Sequence, residues 1–205
     1  MVYGTYSLNS NQVLNEFEQH IYEKEAILNV SLENAVADLS TTARFLSLFG
    51  CAAQCTSAAV EEYVTTFFET RKQYTQLRVL SMEGQEVLRW NSRGDNRAAE
   101  RVYSLQDKSD RYYFRESRNL KTGGVYFSSM DYNVEQGQIE LPVVPTVRAV
   151  TKVLIDELEY LVSLNLDLSN VIDRKIYPDA DADADADAGA DADADADADA
   201  HAHAG

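Results

Sequence analysis

Long apolar runs are missing from this 205-residue chain, so no segment reads as a membrane-crossing helix, which needs about 18 or more consecutive apolar residues. The opening MVYGTYSLNSNQ has neither the basic nor the apolar region of a secretion signal. Cysteine is scarce. Cys51 and Cys55 are the only two, too few to hold zinc without a nearby histidine. Within FGCAAQCTSA they either form a local disulfide, if their Cα atoms come within about 7 Å, or stay two small, partly buried thiols. Histidine is rarer than a catalytic centre would want: His20 alone lies outside the C-terminal tail. Ser128 and Ser129 lack the Gly-x-Ser-x-Gly elbow, and no Lys-Ser or Lys-Thr follows Gly123 and Gly124 to make a phosphate loop. Catalysis, a metal centre and a bound cofactor are therefore not expected.

Basic clusters are also absent, which argues against nucleic acid as a partner. The formal charge of −16 overstates the acidity of the body. Ten of the 34 acidic residues lie at or after Asp179, leaving 24 against 18 basic residues, or −6. From Pro178 onward the chain alternates Asp and Ala and ends HAHAG. Alanine buries little and the like charges repel, so residues 177–205 read as a solvated, disordered tail; weak cation binding by the Asp rows, or by His201 and His203, is the alternative.

What is present is periodic. Leu14, Phe17, Ile21, Leu28, Leu32, Ala35, Leu39, Ala43 and Leu46 recur at helical steps or their multiples, predicting one amphipathic helix over Asn11 to Phe49, about 57 Å long at 1.5 Å per residue. Its first half either projects as a stalk that pairs with a second copy or simply covers the core. A second helix, capped by Thr56 or Ser57, has Val60, Tyr63, Val64, Phe67 and Phe68 as its buried face. Thr75 to Ser81 and Gln85 to Asn91 alternate about a turn at Gly84 and predict a β-hairpin. The polar stretch from Ser92 to Arg101 reads as a loop, and Tyr112 to Leu120 as a short helix or aromatic turn. Strands are expected at Val125 to Tyr132, Thr146 to Ile155 and Tyr160 to Asp167. Leu168 to Ile176 reads as the start of an exit helix. Five strands with short links predict an α+β fold: a five-stranded antiparallel sheet with the long N-terminal helix and the second helix on one face. The chain divides into residues 1–50 as the long helix, 51–176 as the sheet domain and 177–205 as the tail.

Several spaced motifs resemble the PAS-like PDC or Cache sensor module of bacterial histidine kinases and diguanylate cyclases. They are Gln76 to Leu80 (QLRVL), Gly84 to Trp90, Leu105 to Phe114 (LQDKSDRYYF), Val125 to Glu140 and Pro142 to Thr151. The resemblance spans roughly Gln19 to Asp173. It implies a PAS-like sheet and a ligand-binding role in a two-component or similar signalling protein. It also implies a position facing the periplasm, joined to the inner membrane through flanking segments outside this sequence. The family places glycines in its last hairpin, where this chain has IDELEYLVSLNLD.

Related amino-acid-binding Cache modules carry an Arg and an aromatic pair in the short helix, then Tyr and Asp on the next strand. By that resemblance Arg111 corresponds to the Arg, Tyr113 and Phe114 to the aromatic pair, Tyr126 to the strand Tyr and Ser128 to the Asp, while Arg148 adds a cation from the following strand. By the two-residue repeat Tyr126, Ser128 and Met130 share one strand face, with Phe127, Ser129 and Asp131 on the other. An aromatic cavity with one or two guanidinium groups would grip a small carboxylate. The plainer alternative pairs Arg111 with Asp107 or Asp110 and Arg148 with Glu140, leaving the tyrosines as core. A homodimer through Leu14 to Leu28 is the expected assembly, and a dimerising scaffold with a vestigial pocket is the competing function.

Overall fold

A computed structural model of the protein describes residues 10–50, 55, 57–93, 98–135, 137–169 and 171. The chain divides into two compact units, Met1–Ile172 and Asp173–Gly205. The second, with the predicted tail and most of the predicted exit helix, lies outside the described residues.

Two helices open the fold, α1 (Ser10–Leu48) and α2 (Ala58–Thr70). The stripe on α1 has two fates. Ala35, Leu39, Ala43 and Leu46 are buried against the sheet, whereas Leu14, Phe17 and Ile21 are exposed. On α2, Val60, Val64 and Phe68 repeat every four residues and are fully buried. Asp38 ties the helices to the sheet by accepting from the Tyr74 hydroxyl at 2.9 Å and from Arg71 Nε at 3.1 Å. Cys55 is buried and disulfide-bonded, and Cys51 lies outside the described residues. No described helix is long and apolar enough to cross a membrane.

The strands are β1 (Tyr74–Ser81), β2 (Glu86–Arg93), β3 (Ala98–Arg101), β4 (Val125–Phe127), β5 (Asp131–Tyr132), β6 (Val134–Glu135), β7 (Gln138–Ile139), β8 (Pro145–Ile155) and β9 (Leu158–Asp167). A short helix, α3 (Tyr112–Ser117), precedes β4. The main sheet has seven strands in the order β3-β2-β1-β9-β8-β4, with β5 also on β8, and all its pairings are antiparallel. Seven strands replace the five expected, for two reasons. Ala98–Arg101, read as loop because of its polarity, pairs with β2 as an edge strand, and Arg101 there meets Glu61 of α2 at 2.8 Å. The predicted strand from Val125 to Tyr132 is broken in two.

The break is a one-residue bulge. Val125, Tyr126 and Phe127 pair with Thr151, Val150 and Ala149, but Asp131 and Tyr132 pair with Thr146 and Pro145, one residue out of step. Ser128 starts it: its hydroxyl accepts the Arg148 amide at 2.9 Å and donates to its neighbour's carbonyl, Ser129 O, at 2.7 Å. Because side chains alternate with period two, one extra residue turns every later side chain to the opposite face. The last hairpin closes without glycine. Asp156 and Glu157 themselves take positive φ, +50° and +66°, which gives a two-residue turn of the twist that antiparallel strands prefer.

Candidate functional site

Leu77 and Val79 of β1, Ala149 of β8 and Val162 and Leu164 of β9 point toward α1 and α2 and form the main core, with Trp90 of β2 buried among them. The alternate residues face the other way. On that second face lie Gln76 and Arg78 of β1, Arg89 and Asn91 of β2, Ser163 and Asn165 of β9, and Thr146, Arg148 and Val150 of β8. A polar face would ordinarily meet water, but here Gln76, Arg78, Arg89, Arg148, Ser163 and Asn165 are buried. They are covered by the segment carrying Gln106, Lys108 and α3, and by Asp131 to Glu140 with its small separate hairpin β6–β7. The result is a charged layer between sheet and cover.

Arg78 is central to it. Its Nε lies 3.2 Å from Glu86 Oε1, its Nη1 donates to the Tyr113 hydroxyl at 3.1 Å, and its Nη2 is ion-paired with Glu135. Arg89 reaches the same Glu135 at 2.7 Å and Glu86 at 3.4 Å, and Lys108 Nζ approaches Glu135 to 3.6 Å. Burial by itself would push the Glu135 carboxyl up, yet Arg78, Lys108 and Arg89 together hold it below the usual carboxylate range. Burial, reinforced by the repulsion of Arg78, lowers the Lys108 ammonium, against the pull of Glu135 and Glu86. Arg148 pairs with Asp131 and lies 4.9 Å above the centre of the Tyr113 ring, a cation–π distance.

Four cations, Arg78, Arg89, Lys108 and Arg148, each more than nine-tenths buried, thus face three carboxylates, Glu86, Glu135 and Asp131. The layer carries an excess positive charge, which buried surroundings penalise unless an anion compensates it. It also has open valences: the Nε groups of Arg89 and Arg148 and the carbonyl oxygens of Asn91 and Asn165 are buried with no hydrogen-bond partner. Beside it opens a cleft of about 200 Å³ lined by Gln76, Asn91, Asn133, Thr146 and Glu140, whose carboxylate accepts from Asn133 Nδ2 at 2.5 Å, and edged by Leu141 and Pro142. That volume suits a small metabolite, being below the ~300–1,000 Å³ typical of drug-sized ligands.

The six residues singled out from sequence divide. Arg148, Tyr113 and Ser128 meet at the layer: Arg148 and Tyr113 within it, Ser128 holding the Arg148 backbone. Phe114 is buried just behind, packed with Leu80, Val150 and Leu161. Arg111 sits at the rim, partly exposed and 3.7 Å from Asp131. Tyr126 packs against the Phe114 cluster, and its hydroxyl donates to Glu116 in an exposed pair; burial first, then Glu116, Tyr112 and Asp131, push that hydroxyl's pKa up. The alternative ion pairs are corrected as well. Arg111 and Arg148 both turn to Asp131, while Asp107 accepts the Ser109 amide at 2.8 Å. Asp131 was expected on the face away from Tyr126; the bulge brings it to the site. Sequence reasoning missed Arg78, Arg89, Lys108, Glu86 and Glu135 altogether.

A family model described as the sensor domain of bacterial histidine kinases matches residues 17–182. Among solved structures, the extracellular domain of vpHK1S-Z8, a protein assigned as a histidine kinase, aligns with a TM-score of 0.65 at 21% identity over 79% of this chain. A domain of a protein assigned to the sensory box/GGDEF family from Vibrio parahaemolyticus aligns with a TM-score of 0.66, also at 21% identity over 79% of this chain. The alignments cover 59% and 62% of those two chains, so each of them is considerably longer than the matched part. A comparison with curated proteins finds no match.

Proposed function

This chain belongs to the bacterial histidine kinase sensor-domain family, and on that premise we propose that it binds a small organic anion on the face of its sheet opposite the helices. The excess of buried cations carries the reading: four against three carboxylates, with unpartnered guanidinium Nε donors on Arg89 and Arg148. A carboxylate entering through the adjacent cleft would be held by these buried guanidinium groups, whose planar donor pairs suit bidentate binding. Arg148 and Tyr113 would flank it, Arg111 would guide it at the rim, and Ser128 would hold the β8 backbone that carries Arg148. The domain would sit outside the cytoplasm as the sensing part of an inner-membrane signalling protein, converting occupancy into a displacement of the cover or the sheet.

Thermal melts against single carboxylates test this. A binder present at 100 times its Kd adds about 2.7 kcal/mol of stability, and Arg148→Gln should abolish that gain. If no carboxylate moves the melt, or Arg148→Gln responds like the wild type, the anion reading fails.

A second reading, dimerisation as the main role, is supported by the exposed Leu14, Phe17 and Ile21, 57%, 62% and 48% accessible on one stripe of α1. Replacing all three by Ser should turn a dimer into a monomer in sedimentation velocity. A wild-type chain that stays monomeric at high concentration removes this reading.

A further inference from the structure

The cation cluster already has an occupant, held by an element that is easy to move. Glu135 is carried on β6, which pairs only with β7 through Val134↔Ile139 and Glu135↔Gln138. Neither strand is hydrogen-bonded to the seven-stranded sheet. The hairpin buries little: Gln138 and Ile139 are exposed, and Val134 and Glu135 only half-buried. What fastens it to the domain is chiefly Glu135 itself, which accepts from Arg78, Arg89 and Gln106, and more weakly from Gln76 at 3.3 Å and Asn133 at 3.2 Å, with Lys108 adding a bond to the Val134 carbonyl at 3.4 Å. Each of those donors could equally serve a carboxylate that is not part of the chain.

We propose that Glu135 is an internal stand-in for the ligand: an incoming carboxylate takes over Arg78 and Arg89, Glu135 leaves, and the β6–β7 hairpin is released from the sheet. This rests on the anion-binding reading above and adds how that site is regulated. Two consequences follow. The external anion competes with a tethered one, so its apparent affinity is reduced by the fraction of molecules in which Glu135 is out of place. Occupancy is also reported at the surface, because the tether is given up in the same step that binds the anion. The charged state of Glu135 makes it an effective competitor, since the three cations favour its ionised form against the effect of burial.

The test uses the full chain with acetate, the fragment that Glu135→Ala removes, and chloride at equal ionic strength as the control. Glu135→Ala should bind acetate about ten-fold more tightly than the wild type, or more, if the vacated state makes up about a tenth of the wild-type population. A wild-type affinity too weak to measure beside clear binding by the variant counts as the same result. Glu135→Gln, which keeps the side-chain volume, serves if the Ala variant does not fold. In the wild type, near-saturating acetate should speed amide hydrogen exchange at Val134, Glu135, Gln138 and Ile139, and this decides alone if neither variant folds. Equal acetate affinity in both proteins, or wild-type binding that leaves those amides as protected as before, overturns the displacement while the anion site stands. Acetate binding to neither protein overturns the displacement and the anion site together.

Discussion

Replacing Arg78 by Met keeps the length of the side chain and removes its charge, and the structure sets the size of the effect. The Arg78 side chain is 2% exposed and the facing Glu86 side chain 0% exposed, so the substitution leaves a carboxylate out of water with Arg89, 3.4 Å away, as its one remaining ion-pair partner among the described residues and the Lys108 ammonium acting from farther off. Breaking a buried pair by removing one member costs about 3–5 kcal/mol. A domain of this size loses roughly 2–4 °C per kcal/mol, so the midpoint of thermal unfolding should fall by about 6–20 °C. Urea unfolding gives the free energy directly, with an unchanged m-value showing that the same surface is exposed. Adding Glu86→Gln should restore part of the loss, with a coupling of about 0.5–3 kcal/mol. A cost below about 1 kcal/mol at constant m would refute the reasoning, because it would mean that water reaches Glu86 and the layer is not a low-dielectric one.

The acid limb of stability should report Glu135. Its folded-state carboxyl lies below the ordinary value of 4.5, so its contribution is full above that value and is lost as pH falls through the depressed one. The urea midpoint should therefore drop on acidification, and drop less in Glu135→Gln; parallel profiles for the two proteins would contradict the assignment. Leu39→Ala, at a site with 0% exposure where α1 meets the sheet, should cost about 2–5 kcal/mol in urea unfolding, and a much smaller value would mean that α1 is not seated there. Tyr126→Phe should leave carboxylate binding unchanged in isothermal titration, since that hydroxyl donates to Glu116 rather than to a group of the charged layer; a clear loss would place Tyr126 in the site.

Much of the architecture was legible because it follows from single-element periodicity. Leu39, Ala43 and Leu46, or Val60, Val64 and Phe68, fall on one helical face whatever the rest of the chain does, and both sets are buried. The hairpin about Gly84 was equally clear, since its φ of +95° is one that glycine takes without strain. Elements defined by their neighbours were harder to see. Ala98–Arg101 has no strand-like pattern and becomes a strand because β2 offers it an edge. The Ser128 bulge is a matter of one hydroxyl taking one amide, which alternation cannot reveal, yet it decides that Asp131 faces Arg148.

The site itself left a signal of a different kind. On a hairpin whose turn is fixed at Gly84, Arg78 stands directly across from Arg89 and Gln76 across from Asn91. Like charges directly opposite on one sheet face are destabilising, so such a pair, flanked in β1 by Leu77 and Val79, implies a carboxylate between them or solvent over both. By alternation alone solvent is the simpler answer, because alternate polar residues normally mark the wet face. The cover gives the other answer. Residues 105–117, 131–135 and 137–140, all outside the hairpin, close over the arginines; Glu86 comes from the hairpin itself and Glu135 from the cover. A buried charge is thus recognised from sequence less by its own position than by the mismatch it creates with its cross-strand neighbour. Arg78 opposite Arg89 is a mismatch that a third, anionic group has to resolve.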